Sequence, residues 1–420
     1  MGLRKTVFDN GLTVLVKDVH TAPVASFWVW YRVGSGREGP GVTGISHWVE
    51  HMLFKGTPRW PRGLADQAIS RQGGMWNAFT WYDYTCFFAT LPASKIELEI
   101  EIEADRMVNT IFDPQEVEAE RTVIISERQG AENDPLFLLS EEVMAAAFCI
   151  HPYGHETIGY MGDLERMSRD DLYRHYRTYY VPSNAIAVAV GDFDPAVMLD
   201  LIHKHFDPLP AAEPPQPLTV VEPPQRGERR LVLEGDGNTA YLSTVFHAPP
   251  PASPDFYPLL VLDSVLSGGG ISIMGGSGSN KTSRLYRALV DSELAVDVSG
   301  SVIPTVDPFV YSLTATVRNG RTPAEVEERL WVELARVAEE PISAEELTRA
   351  IKQAKAHFAY SSESVTGQAS WLGWSEVFAD YGWFESFLER LSAVTPEDVQ
   401  RVARSVVRRS NSTTGWYVPS

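Results

Sequence analysis

Cysteine is scarce, with Cys86 and Cys149 the only two in 420 residues. Both stand in apolar surroundings (Tyr-Thr-Cys-Phe-Phe and Ala-Ala-Phe-Cys-Ile), so two buried free thiols in a reducing compartment are expected rather than a disulfide. No stretch reaches the roughly 18 continuous apolar residues that a bilayer span requires, and the opening MGLRKTVFDNGLTVLVKD has no apolar core of a secretory signal. The expectation is a cytoplasmic chain without membrane attachment. Gly2 to Thr6 fit the loose myristoylation pattern, but they run straight into a strand and the match is read as coincidence. Cationic side chains are also few: 36 Lys and Arg against 55 Asp and Glu give a net charge of -19. That balance argues against a phosphate-backbone binder, so nucleic acid is not expected as a partner. The acidity reads first as solubility and only second as a chamber that attracts basic peptides.

What is present describes an ordinary globular protein, 44% apolar and 22% charged. The length exceeds what one core usually serves and implies two domains. Residues 5–18 read as a hairpin turned at Asp9-Asn10-Gly11, and the β-branched and aromatic run 25–33 follows as a strand. A glycine-rich loop leads into a helix over 45–55, with a second over 64–71 and sheet over 77–91. Asp113-Pro114 marks a helix start, since Asp caps the end and proline suits the first turn. Further helices near 135–148, 169–178 and 194–206 and a strand at 185–190 complete the first half. Residues 208–226 are dense in proline and read as a semi-rigid linker. Beyond it strands and helices recur in the same outline. The fold expected is α+β: two similar domains, 1–207 and 227–420, each a mostly antiparallel sheet packed by helices.

The sequence His47-Trp48-Val49-Glu50-His51 falls on the helix over 45–55. Positions four apart share a helix face, so His47 and His51 can bring two imidazoles to one zinc. Glu50 sits beside that face, placed to take a proton from water at the metal, as in the inverted zinc motif. A catalytic zinc needs a third protein ligand and an open position. Glu116, Glu120 and Glu127 lie within about 40° of one another on the helix that Asp113 begins. Glu120 and Glu127 are about 10.5 Å apart in rise, so they cannot both bind one zinc directly. Spacing leaves the choice open, and Glu97, Glu99, Glu101 and Glu103 add competitors.

His-Trp-Val-Glu-His-Met-Leu-Phe-Lys-Gly-Thr, then Gly-Gly-Met-Trp-Asn-Ala-Phe-Thr and Glu-Arg-Thr-Val-Ile-Ile-Ser-Glu, resemble the pitrilysin and insulin-degrading family of zinc peptidases. The likeness is strongest to the branch of half-length chains that contains the mitochondrial processing peptidase, and it extends to His-Pro-Tyr-Gly at 151–154. It implies half of a clamshell, with His47, His51 and Glu127 as zinc ligands, Glu50 as base and Glu120 supporting a ligand. It also implies that Asn77 and Ala78 seat the substrate backbone by strand addition. Trp81, Tyr82 and Tyr84 nearby read equally as pocket lining or core.

Two departures from the family stand out. Active members place an Arg and, seven residues on, a Tyr near the scissile carbonyl; the corresponding positions here are Leu289 and Val296. Other registers fail too, since Arg287 pairs with Leu294 and Arg284 with Asp291. Without those donors the oxyanion lacks stabilisation. The resemblance then implies a heterodimer in which a paralogous subunit carries the pair, with a homodimer as the other arrangement. The alternative function is a non-catalytic structural or assembly subunit, against which the retained His47, Glu50, His51 and Glu127 speak. The second departure is the long glycine-rich stretch 268–280, which is no Walker phosphate loop because Asn280 stands where glycine must precede Lys281.

Overall fold

A computed structural model describes residues 2–269 and 280–420, so most of the glycine-rich stretch 268–280 lies outside the described residues. The first half begins with β1 (Arg4–Val7), β2 (Thr13–Asp18) and β3 (Val24–Tyr31), followed by α1 (Ile45–Leu53) and α2 (Leu64–Arg71). It continues through β4 (Met75–Thr80), β5 (Thr85–Pro92), α3 (Glu97–Asn109), α4 (Pro114–Ala131) and α5 (Pro135–Ala147). It closes with α6 (Met161–Leu164), α7 (Arg169–Tyr179), β6 (Ala185–Gly191) and α8 (Pro195–Phe206). The second half carries β7 (Arg229–Gly235), β8 (Tyr241–Ala248), α9 (Phe256–Leu266), β9 (Ala295–Val302) and β10 (Phe309–Val317). The helices α10 (Pro323–Glu339), α11 (Ala344–Ser361), α12 (Val365–Phe378), α13 (Tyr381–Ser392) and α14 (Pro396–Val406) precede β11 (Ser412–Pro419). Helix starts follow local chemistry: Asp134, Asp194, Thr322 and Thr395 each accept a hydrogen bond from the first turn, with proline next in sequence.

The two sheets share one plan. In the first the order is β1-β2-β6-β3-β5-β4, in the second β7-β11-β8-β10-β9. Strand β2 pairs parallel with β6 as β7 does with β11, and the remaining neighbours in each sheet are antiparallel. With β1 set aside, β2, β6, β3, β5 and β4 therefore answer to β7, β11, β8, β10 and β9.

The compact units are discontinuous, where the sequence reading draws a single boundary at 208–226. One unit comprises Met1–Gln129, His155–Thr219 and Ser362–Phe384; the other comprises Gly130–Gly154, Val220–Ser361 and Glu385–Ser420. The cause is the need to cover both faces of each sheet. Helix α12, from the second half, packs on β3 and β6, while α5, from the first, packs on β11, β8 and β7. In the first unit Gly373 of α12 lies so close to β3 that a Cβ there would come within 2.0 Å of the Trp30 indole nitrogen. This explains why β3 reads as a nearly unbroken apolar run: Trp28 and Trp30 face α12, and Phe27, Val29 and Tyr31 pack with α1, α3 and α7 in the core.

One thiol departs from expectation. Cys86 is buried on β5, but Cys149 is exposed. Helix α5 ends at Ala147, so Cys149 occupies no inward helical position; its N–H is held by the Glu222 carboxylate at 2.7 Å. Among the described residues no helix is long and apolar enough to cross a membrane.

The core of the first unit also contains charge. Arg106 of α3 pairs with Glu103 at 2.7 Å, with both side chains buried, and its guanidinium lies over the rings of Phe54, Trp76 and Phe87. Burial and the neighbouring Glu103 push Glu99, one turn away, well above the ordinary carboxylate range, so it holds its proton. A raised carboxyl stabilises the fold fully below its unfolded value, near 4.5, and that contribution is lost as pH rises through the folded value. Glu99→Gln is therefore expected to flatten the decline of melting temperature on the alkaline side. Arg106→Met is expected to cost about 3–5 kcal/mol by leaving Glu103 buried without a cation. Thermal and denaturant unfolding of the two variants across pH reads both effects; equal losses would contradict the assignment.

Candidate metal centre

Helix α1 is fixed before any ligand is considered. Its N-cap, Gly44, has φ 88°, and a Cβ there would come within 2.4 Å of the Ile158 carbonyl oxygen. The buried carboxylate of Glu38 accepts hydrogen bonds from the N–H groups of Gly44 (2.7 Å) and Ser46 (2.8 Å), an anion at a helix N-terminus. His155 lies 3.0 Å from the same carboxylate. Asp163 accepts from the Thr43 hydroxyl at 2.7 Å and from the N–H of Thr43 and of Gly41. Trp48, Val49 and Met52 then bury one side of α1, and Arg121 of α4 lies over the Trp48 ring, 4.8 Å from its centroid. Arg121 also donates to the Met167 carbonyl at 2.8 Å, which docks α4 alongside.

The opposite side of α1 carries His47 and His51, their ring centroids 4.6 Å apart. The Nε2 atoms of His47 and His51 lie 3.9 and 3.8 Å from one carboxylate oxygen of Glu127 on α4. Ligand atoms of all three lie within 4.8 Å of one another, a group that can hold a metal ion. Zinc bonds of about 2.0–2.1 Å in a tetrahedron place ligand atoms roughly 3.3 Å apart, so the two histidine–Glu127 separations need to close by about half an ångström and the widest separation in the set by up to about 1.5 Å. Burial, aided by the neighbouring His51, pushes His47 down to about 4, which leaves its imidazole neutral as a metal requires.

Glu120, two turns before Glu127, lies 2.8 Å from His51 Nδ1 and pairs through its second oxygen with Lys55. Burial opposes the charge on Glu120, but hydrogen bonds from His51 and Lys55 outweigh it and hold its carboxyl below the usual range. An ionised carboxylate there requires the proton on His51 Nδ1, which leaves Nε2 free to face Glu127.

Glu50 is buried, and that burial pushes its carboxyl up to about 7 despite a 2.6 Å hydrogen bond from Thr80. A carboxyl balanced near neutrality beside a candidate metal position can both take and return a proton. The competing carboxylates lie elsewhere. Glu116 pairs with Arg62 and Glu118 with Arg121; Glu97 meets Lys204, Glu101 meets Arg59, and Glu99 and Glu103 are in the core.

Asn77 and Ala78 lie on β4, the edge strand of the first sheet, with Asn77 exposed. Tyr82 and Tyr84 are buried, and Tyr84 packs on Trp30 and Phe79, which makes it a core residue. Leu289 is buried and Val296 exposed on β9, so neither brings a polar group. Sequence reasoning missed Glu38, Asp163, His155 and Thr80. Each acts across 6 to 122 residues through isolated polar contacts, and no periodic pattern marks such contacts.

Comparison with known proteins agrees with this architecture. Residues 13–160 match the family model for insulinase (peptidase family M16), and residues 166–354 match that for the peptidase M16 inactive domain. The chain is 27% identical to an uncharacterized zinc protease of Streptomyces coelicolor, over 98% of this chain and 88% of that one. It is 25% identical to the mitochondrial-processing peptidase subunit beta of Lentinula edodes, over 95% and 86%. The crystal structure of a protease from Helicobacter pylori superposes with a TM-score of 0.93 at 25% identity, covering 100% of this chain and 99% of that chain. Between them the two models take in most of both halves, and the chain belongs to peptidase family M16, the insulinase family.

Proposed function

We propose that this protein is the zinc-bearing subunit of a metalloendopeptidase, and the observation that carries the reading is the convergence of His47, His51 and Glu127 beside the buried Glu50. Zinc held by the two Nε2 atoms and the Glu127 carboxylate would supply Lewis acidity to a water and to a peptide carbonyl. Glu50 takes the proton from the attacking water and returns it to the departing amine, a use suited to a carboxyl near neutrality. Glu120 and Lys55 keep His51 in the tautomer that presents Nε2. Asn77 and Ala78, on the open edge of β4, receive the substrate as an added strand.

The partner follows from what is missing. With Leu289 and Val296 in place of the Arg and Tyr of the resemblance, this chain has no donors of its own there for the developing oxyanion. A paralogous subunit carrying that pair completes the site, and one relative is itself named as a subunit, the beta subunit of the mitochondrial processing peptidase. The match to a model described as an inactive domain favours a second reading, a non-catalytic assembly subunit. That match covers 166–354, however, and includes none of the four candidate site residues.

The purified chain is expected to bind one zinc and to cleave a quenched fluorescent peptide library only weakly. Added paralogous subunit should raise the rate, and Glu50→Gln should lower the completed activity about 10²–10⁴-fold with zinc retained. Strong cleavage by the chain alone, with a homodimer found by mass analysis, would overturn the division of labour. A chain that binds no zinc, or whose activity ignores Glu50→Gln, is a scaffold. Glu120→Gln should weaken zinc affinity about 10–100-fold in a chelator competition, whereas Glu116→Gln should leave it unchanged.

A further inference from the structure

Thr80 ends β4, two residues beyond Ala78 and on the same face of the strand. Its side chain is buried beneath α1, where its hydroxyl donates to Glu50 Oε2 at 2.6 Å. That length is typical of a hydroxyl bound to an ionised carboxylate. Thr85, its partner across the β4–β5 pair, stands with Oγ1 3.2 Å away. Thr85 donates its own hydrogen to the Val33 carbonyl at 2.9 Å, so it cannot donate to Thr80 as well. Thr80 thus has one hydrogen and two acceptors in reach, and the 2.6 Å contact with the Glu50 carboxylate is much shorter than the 3.2 Å contact with Thr85, so that hydrogen goes to Glu50.

A glutamate side chain has several rotatable bonds, and a base is effective only when one oxygen faces the water it deprotonates. Threonine is stiff at χ1, so the strand backbone fixes its hydroxyl. With Oε2 held by Thr80, Oε1 remains as the basic oxygen. The hold survives the reaction, because a proton arriving on Oε1 leaves Oε2 an acceptor of the carbonyl kind. We propose that Thr80 is a positioning residue for Glu50, locking which carboxyl oxygen meets the water and tying its orientation to the strand proposed to seat the peptide. This rests on the reading of Glu50 as the base.

The test is the set Thr80→Val, Thr80→Ser, Thr85→Val and Glu50→Gln, each assayed in the assembly that shows peptidase activity. Thr80→Val should lower kcat up to about 100-fold with KM unchanged. Thr80→Ser should restore most of it, and Thr85→Val, an equally buried change, should leave kcat within about threefold because it spares the hydrogen bond to Glu50. Zinc affinity and melting temperature should match across the Thr80 pair. A crystal structure of Thr80→Val should show the Glu50 carboxylate rotated from its present position, a readout that needs no activity. An inactive Glu50→Gln beside a fully active Thr80→Val would overturn the proposal while sparing the base assignment. So would a loss in Thr85→Val as large as in Thr80→Val, or a Glu50 that stays in place without the hydroxyl. If Glu50→Gln itself retains activity, the underlying reading fails instead, and the proposal falls with it.

Discussion

The site depends on one constraint: a nine-residue helix must bury one side in a core while presenting two imidazoles on the other without rotating. Helix propensity cannot secure this, because so short a helix is unstable in isolation. Glu38 does much of it. Its carboxylate binds two N–H groups of the first turn, and through His155 it ties that turn to a segment more than a hundred residues away. Burial makes such charge-assisted bonds directional and costly to break. A helix held at its N-terminus by Glu38 and against α4 by Arg121 on Trp48 has little freedom to rotate. The 3.8 and 3.9 Å distances from the imidazoles to Glu127 follow from that docking.

Electrostatics then separates three carboxylates that share one small region. Glu120 stays ionised because His51 and Lys55 donate to it. Glu50 has only a neutral hydroxyl, and burial raises it to about 7. Glu127 has its side chain partly exposed, facing both histidines from the neighbouring helix. Three chemically similar side chains thus take three proposed roles, as orienter, base and ligand, set by their partners rather than by residue type. The same logic explains why the acidic run on α3 contributes nothing here. Its inward members, Glu99 and Glu103, face Arg106 in the core, and its outward members Glu97 and Glu101 pair with Lys204 and Arg59 at the surface.

Much of this was legible in the sequence where local chemistry dictates local structure. The Asp9-Asn10-Gly11 turn, the helix over 64–71, the Asp113-Pro114 start and the histidine spacing on α1 all follow from patterns only a few residues long. The choice among Glu116, Glu120 and Glu127 did not, since all three share a face. It turns on the docking of α4 beside α1, where Arg121 lies over Trp48 of α1 while donating to the carbonyls at 164 and 167. The exposure of Cys149 was misread because its apolar neighbours on one side belong to a helix that stops two residues earlier. The discontinuous units were invisible for a related reason. An apolar helix such as α12 advertises that it is buried but not against which sheet, and Gly373 looks like a weak helix position until Trp30 is seen beneath it.

The repeated sheet plan shows why, among the described residues, a group able to hold a metal ion is found in the first half. In each unit a helix follows the third strand of the plan: α1 after β3, and α9 after β8. Every residue of α9 is buried, whereas α1 leaves His47 and His51 partly open. A helix enclosed on all sides cannot offer ligands to an ion that must also meet water and substrate. Its carboxylate, Asp263, is instead held by Ser267 and pushed up to about 6 by burial. A carboxyl enclosed in that way serves packing. The two halves therefore share topology but differ in how completely one helix is enclosed, and that difference decides which of them leaves candidate ligands open to an ion.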